Sequence, residues 1–382
     1  MTTVKKEKAV KRTFWGVAVF YFLIAFEFLY MASPFAVYFY SAYKPALDFF
    51  NRSPVLSWLV SYFLPHNVRE TTSTLVNLHN KVGIILALSG FLGFCIGASQ
   101  VYYHKLARKG AVTGGIYNFI RHPQYASFII CSFGLLLMWP RYIVLIMFTT
   151  MLFAYYLLAK AEEMECEEKF GQSYTDYKNK TNMFFPFKIP FAKKTPASPV
   201  SRSKKLITIL CTYILTLAVV LIIAKGLNTL ALNSLYAVYT GNSANISLCK
   251  IEPGKLNSIL DIVNSDTRVK AIMEKVEKDR DTKYLNYVLP SEWFAAEVPM
   301  NGIKRGSGHY SPSDYDNNSF KVILTKADIR PGKSISSKEI LTNVVKRHAI
   351  IEVWVDVSGQ KVTKIMEMPE KIKYENIPVA VY

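Results

Sequence analysis

Residues 126–159 read ASFIICSFGLLLMWP (Ala126–Pro140), then Arg141, then YIVLIMFTTMLFAYYLLA (Tyr142–Ala159). A bilayer span needs about 20 mostly apolar residues. Two apolar runs parted only by Pro140-Arg141 read as a tight helical hairpin, because proline stops a helix and the pair can form a turn. Working outward, Val82–Tyr103 and Leu206–Ala224 carry no charge, and Phe14–Met31 carries only Glu27. Pro54–Leu64 is apolar over too short a distance to span and reads as an interfacial or re-entrant piece. The expected fold is a polytopic α-helical membrane protein with about five spans, followed by a C-terminal extramembrane α+β domain.

Composition agrees with this reading. Of 382 residues, 51% are hydrophobic and 19% are charged, against about 25% charged in soluble domains. That balance excludes a disordered chain. The net charge of +18 is uneven: residues 1–225 carry +15 and residues 226–382 carry +3. A nucleic-acid binder would place its basic excess on a polar domain. Here the excess sits in the hydrophobic half, which points to loops facing anionic membrane lipids and not to a nucleic-acid partner. Segments 1–12, 104–122 and 160–205 hold 19 Lys and Arg, whereas 33–81 and the hairpin tip hold five. By the positive-inside bias the N-terminus is cytoplasmic and residues 226–382 lie on the non-cytoplasmic side. The first apolar run is long and has no clean small-x-small site after it, so it reads as an uncleaved anchor.

The expected divisions are 1–79 (anchor and interfacial segment), 80–192 (membrane core), 193–225 (basic linker and last span) and 226–382 (outer domain). In the last, Leu256–Lys283 has helical spacing. Ile350–Val357 and Lys361–Met366, parted by Ser358-Gly359-Gln360, read as a β-hairpin. Lys326–Lys333 reads as a turn. No pair or cluster of Cys and His has metal-ligand spacing, and no metal site is expected. His309 and His348 are isolated and read as ordinary surface or packing residues.

Two segments could carry chemistry. Gly114-Gly115-Ile116-Tyr117-Asn118-Phe119-Ile120-Arg121-His122-Pro123-Gln124-Tyr125 precedes the hairpin, and Glu162–Tyr177, with five Glu between 162 and 168, follows it. A hairpin returns both to one membrane face. The glycines let a ligand approach the backbone. Arg121 and His122, with free N–H groups, suit a carboxylate, although they equally suit lipid phosphates. Glu162 suits ribose hydroxyls or an amine, although the acidic run also reads as a solvated helix start favoured by its dipole. Tyr174 and Tyr177, three apart, read as packing residues.

The patterns Gly-x-Tyr-x-x-x-Arg-His-Pro-x-Tyr (Gly115 to Tyr125) and Glu-Glu-x-x-x-x-x-x-Phe-Gly-x-x-Tyr-x-x-Tyr (Glu162 to Tyr177), in order and followed by Phe185-Pro186, resemble the isoprenylcysteine carboxyl methyltransferase and phospholipid methyltransferase family over about residues 80–190. The resemblance implies an integral membrane enzyme that moves a methyl group from S-adenosylmethionine to a lipid or lipidated carboxylate or amine. It implies cofactor contacts at Gly110, Ala111, Val112, Tyr117, His122, Pro123, Tyr125 and Glu162. Arg121 and Glu163 are the candidate catalytic residues, Glu163 as the group taking a proton from an amine acceptor. The prenylcysteine enzymes carry an Arg four residues before the first Glu, where this chain has Leu158, so another lipid-like acceptor is expected. Two alternatives stand beside this one. One is a non-catalytic scaffold whose residues 226–382 bind a protein partner. The other is an NADPH-dependent sterol-type reductase, since Cys166-x-x-Lys169-Phe170-Gly171 is similar to a segment of such enzymes.

Overall fold

The computed structural model describes residues 55–107, 110–187, 202–276, 281–301, 308–330, 335–368 and 379–382, with scattered positions between 15 and 53. Most of the expected Phe14–Met31 span and of the Lys193–Lys205 linker lies outside the described residues. The chain forms two compact units. The first comprises Met1–Glu27, His79–Trp139 and Ile143–Ile223; the second comprises Phe28–Leu78, Pro140–Tyr142 and Ala224–Tyr382.

The helices that build the first unit are α1 (Thr74–Leu106), α2 (Pro123–Met138), α3 (Tyr142–Phe170), α4 (Gln172–Lys180) and α5 (Arg202–Asn233). Among the described residues, three helices, α1, α3 and α5, are long and apolar enough to cross a membrane; α2 is apolar but shorter. Large apolar side chains such as Ile85, Leu88 and Leu92 on α1, and Ile214, Leu215 and Ile222 on α5, face outward. An outward apolar surface is stable only in a nonpolar solvent, so these faces identify an integral membrane protein.

Helices α2 and α3 run antiparallel. Phe133 lies against Phe148 with ring centroids 5.8 Å apart, and Tyr125 stacks on Tyr155 at 4.7 Å. Met151, Tyr155 and Leu158 form the buried centre, covered by Tyr125, Phe128 and Ile129. Helix α1 meets α2 along a seam of small residues. A Cβ added at Gly90 would lie 2.3 Å from the Cys131 backbone nitrogen, and one at Gly134 would lie 2.3 Å from that of Ala87. Lipid does not drive helices together as water does, so close backbone contact at small residues supplies the attraction.

In the second unit six strands form one sheet in the order β1 (Ala237–Thr240), β2 (Ser243–Ser247), β3 (Lys283–Pro290), β4 (Ser319–Ile329), β5 (Val344–Asp356) and β6 (Lys361–Glu367). All neighbours are antiparallel except β2 and β3. A parallel pair needs a long crossover, and helices α6 (Pro253–Ser265) and α7 (Thr267–Val276) supply it. Leu256, Ile259, Leu260 and Val263 turn one face of α6 into the core. The single helical run expected over Leu256–Lys283 is two helices. Asp266 interrupts it, accepting the backbone N–H of Arg268 at 2.9 Å as an N-cap. The expected hairpin is β5–β6. Lys326–Ile329 belongs to β4, which corrects the reading of that stretch as a turn.

Pro140–Tyr142 packs within this second unit. Phe63 N–H donates to Pro140 O at 2.9 Å and Tyr142 N–H to Ser61 O at 3.2 Å, so Tyr62 and Arg141 face each other as in a sheet. Arg141 is fully buried, its guanidinium 4.7 Å from the Tyr62 ring centre. Pro54–Leu64, expected at an interface, contributes buried Val60, Tyr62, Phe63 and Leu64 to this unit.

The α1–α2 seam yields a stability test. Gly90→Ala is expected to destabilise the purified protein by about 1–3 kcal/mol, because the added methyl overpacks a backbone contact. Gly226→Ala on α5, where nothing lies within 4 Å of the added Cβ, is expected to be neutral or slightly stabilising. Thermal unfolding of the two variants in one detergent checks both.

Candidate functional site

The Gly114–Tyr125 segment folds through a 3₁₀ turn, Gly115–Asn118, into the start of α2. Gly115 has φ +62°, and a Cβ there would strike the Gln100 side chain at 2.3 Å. The positive φ is what favours glycine here, since the end of the Gln100 side chain could move aside. The turn carries Tyr117 inward, where it is buried. Ile120 bridges Asn182 in parallel, and the next two amides donate outward: Arg121 N–H to Asn182 O at 2.9 Å and His122 N–H to Met183 O at 3.1 Å. Pro123 then opens α2 at a position whose N–H would have had no helical partner.

The acidic run is not a helix start. Glu162–Glu168 forms the last turns of α3, which ends at Phe170 before Gly171 with φ +57°. The carboxyl end of a helix repels anions, so this placement needs cations, and they are present. Arg121 donates Nε–H to Glu163 Oε1 at 2.6 Å and Nη1–H to the carbonyl oxygens of Lys178 (2.9 Å) and Thr181. Lys178 Nζ lies 3.1 Å from Glu163 and 2.8 Å from Glu167. His122 Nε2 lies 3.5 Å from Glu163, and its Nδ1 the same distance from Glu162.

Successive residues on a helix point about 100° apart, and that angle separates the two carboxylates. The Glu163 side chain is 1% exposed behind its cations, whereas that of Glu162 is 39% exposed. Tyr125 donates its hydroxyl to Glu162 and stacks its ring on His122, 5.6 Å away and 9° from parallel. A cavity of about 330 Å³ opens here, within the range of small-molecule sites. Ala111, Val112, Tyr117, Arg121, His122, Tyr125 and Glu162 all line it. Of the other expected contacts, Gly110 is exposed, with Phe170 3.9 Å from where its Cβ would be, and Pro123 is buried at the helix start. Glu163 does not line the cavity.

The wall also includes residues that the sequence reading set aside. Cys166, Lys169 and Phe170 follow Glu162 at i+4, i+7 and i+8, one helical face. Tyr174 and Tyr177 line it too, and Tyr177 donates its hydroxyl to Tyr117 O at 2.7 Å. Helical spacing carried that signal for Cys166 to Phe170. Nothing local marked Lys178 as the second cation on Glu163. Lys169-Phe170-Gly171, similar to a reductase segment, is a helix end closed by a glycine.

Titration in the site follows from these contacts. Burial lowers the proton affinity of His122, but its contacts with Glu162 and Glu163 outweigh burial, and the net pKa is raised. Burial pushes the Tyr177 hydroxyl up to about 12. The Lys178 ammonium is held above its ordinary value, since Glu167 and Glu163 overcome its partial desolvation.

Residues 78–173 match the model of the phospholipid methyltransferase family, about a quarter of the chain, running from α1 through the acidic end of α3. No curated protein and no solved structure matches the chain.

A raised folded pKa stabilises the protein where the histidine is charged. The stability that His122 adds over a His122→Gln variant is therefore expected in full below about pH 6.5, the unfolded value. It should fade as pH rises through the raised folded value. Unfolding midpoints of both proteins, taken across pH 5–9, check the sign.

Proposed function

We propose that the first unit is a membrane methyltransferase that takes its methyl group from S-adenosylmethionine and delivers it to a lipid or lipidated acceptor. The match over residues 78–173 supports the reaction class. The observation that carries the cofactor assignment is the half-open carboxylate of Glu162 at the mouth of an aromatic cavity built from both motifs.

The residues fit the cofactor by chemistry. Tyr117 and Tyr177 offer flat faces and Glu162 offers an acceptor for ribose hydroxyls or an amine. His122 offers a ring N–H for a carboxylate, and the backbone at Gly110–Val112 offers an edge for the adenosine end. When bound, the sulfonium supplies an activated methyl group, whose transfer breaks the S–CH3 bond as the acceptor heteroatom forms its own. With the cofactor bound, Glu162 would offset its positive charge. Tyr125 holds Glu162 in place, and the aromatic walls exclude water. Arg121 and Glu163 are positioning residues in this proposal, since each already faces a buried partner. They tie the end of α3 to α4 and to the loop before α2.

Residue 158 bears on the choice of acceptor. Leu158 is buried in the hydrophobic centre, and Lys160 lies over the Tyr156 ring at 5.7 Å. The position that carries an Arg in the prenylcysteine enzymes is thus apolar here, which favours another lipid head group. The Lys and Arg bias supports a cytoplasmic N-terminus, with residues 226–382 on the other side of the membrane.

Calorimetric titration of S-adenosylhomocysteine into detergent-solubilised full-length protein tests the proposal, with NADPH as a separate titrant. Micromolar binding of the first is expected, weakened about tenfold or more in Glu162→Ala and His122→Ala, the loss of one charged hydrogen bond. Absence of that binding, equal binding by the variants, or binding of NADPH instead overturns it.

A further inference from the structure

His309, isolated in the sequence, has two partners in the second unit. Its Nε2 lies 2.9 Å from Glu297 Oε2. The other oxygen of Glu297 faces His66 Nε2 at 3.9 Å. The two imidazole rings are 5.6 Å apart and nearly perpendicular. One donor atom from each of the three residues lies within 4.8 Å of the others. We propose that His66, Glu297 and His309 bind one divalent transition-metal ion, zinc by preference, with a further position open to water.

Donor chemistry is the first support. Two imidazole nitrogens and one carboxylate oxygen form a ligand set that zinc takes at about 2.0–2.2 Å in a tetrahedral arrangement. Such an ion holds its donors roughly 3.3–3.5 Å apart by that geometry. The contacts of Glu297 with His309 (2.9 Å) and His66 (3.9 Å) bracket that value, so small side-chain rotations complete the shell. A cation held by one Glu297 oxygen and one nitrogen of each ring draws on all three groups.

Preorganisation is the second support. Each ligand lies on or near backbone held by bonds that do not involve the cluster. His66 N–H donates to Tyr382 O at 2.8 Å, and the side chain of the next residue, Asn67, donates to Ala380 O at 2.8 Å. Phe294 and Tyr310 exchange two backbone bonds of 2.8 Å. That bridge fixes His309, beside Tyr310, opposite the turn that carries Glu297. The Glu297 side chain is 5% exposed, that of His66 14% and that of His309 28%. Access is therefore through His309, which leaves room there for a water ligand. This site shares no residue with the cavity of the first unit, so it stands or falls apart from the methyltransferase reading.

The test uses full-length, tag-free protein in detergent, stripped with a chelator and titrated with zinc against a competing dye. About one equivalent per chain is expected, with uptake weakened at least about tenfold in His66→Ala and in His309→Ala. Zinc should raise the unfolding midpoint of the parent protein and leave that of His309→Ala unmoved. His309 is the most exposed ligand, so that variant keeps the test open if His66→Ala does not fold. Cobalt(II) supplies the independent readout: visible ligand-field bands in the parent, lost in His309→Ala. Absence of zinc uptake by the parent protein, or equal uptake by His309→Ala, overturns the proposal.

Discussion

A carboxylate buried at the carboxyl end of a helix is the constraint on which the first unit turns. Glu163 is 1% exposed in the last turns of α3, where the helix dipole opposes its charge. An uncompensated charge in that position would cost several kcal/mol. Arg121 answers from the loop before α2, and Lys178 answers from α4. Arg121 also donates to carbonyl oxygens at residues 178 and 181. One electrostatic debt thereby fixes three segments that are distant in sequence, and the cavity is the space left between them. Glu162 inherits its exposure from the same arrangement, because the helical turn that buries its neighbour rotates it outward.

Much of this was legible in local patterns, and the exceptions have physical causes. Apolar run lengths reveal α1, α3 and α5, since a span is a local property of about 20 residues. The alternation on either side of Ser358-Gly359-Gln360 reveals β5 and β6 for the same reason. The acidic run was misread as a helix start because the dipole rule describes isolated helices, and Arg121, some 40 residues away, reverses it. The break at Asp266 was missed because a capping aspartate inside an apolar-periodic stretch looks like any solvent-facing residue. Tyr117, His122, Tyr125 and Glu162 line one cavity because the helical hairpin returns both motifs to the same end. Lys178 carried no local mark, and its importance exists only once α4 folds back beside α3.

The second unit shows the limit of reading by spacing. His66 and Glu297 are 231 positions apart, and no metal-ligand pattern extends across such a distance. They meet because Asn67 and His66 bond to the backbone at 380–382 and because the Phe294–Tyr310 bridge turns Glu297 and His309 toward each other.

The short length of α2 has a consequence for how the chain enters its membrane. Sixteen residues rise about 24 Å, less than the roughly 30 Å of the hydrocarbon layer. Such a segment is a poor candidate to partition into lipid alone. The glycine seam gives it a surface to dock on, and α1, which carries that surface, emerges from the ribosome first. Helix α3 is long enough to anchor the other side. The length of α2 therefore favours its entry as a pair with α3, docked on the seam that α1 carries.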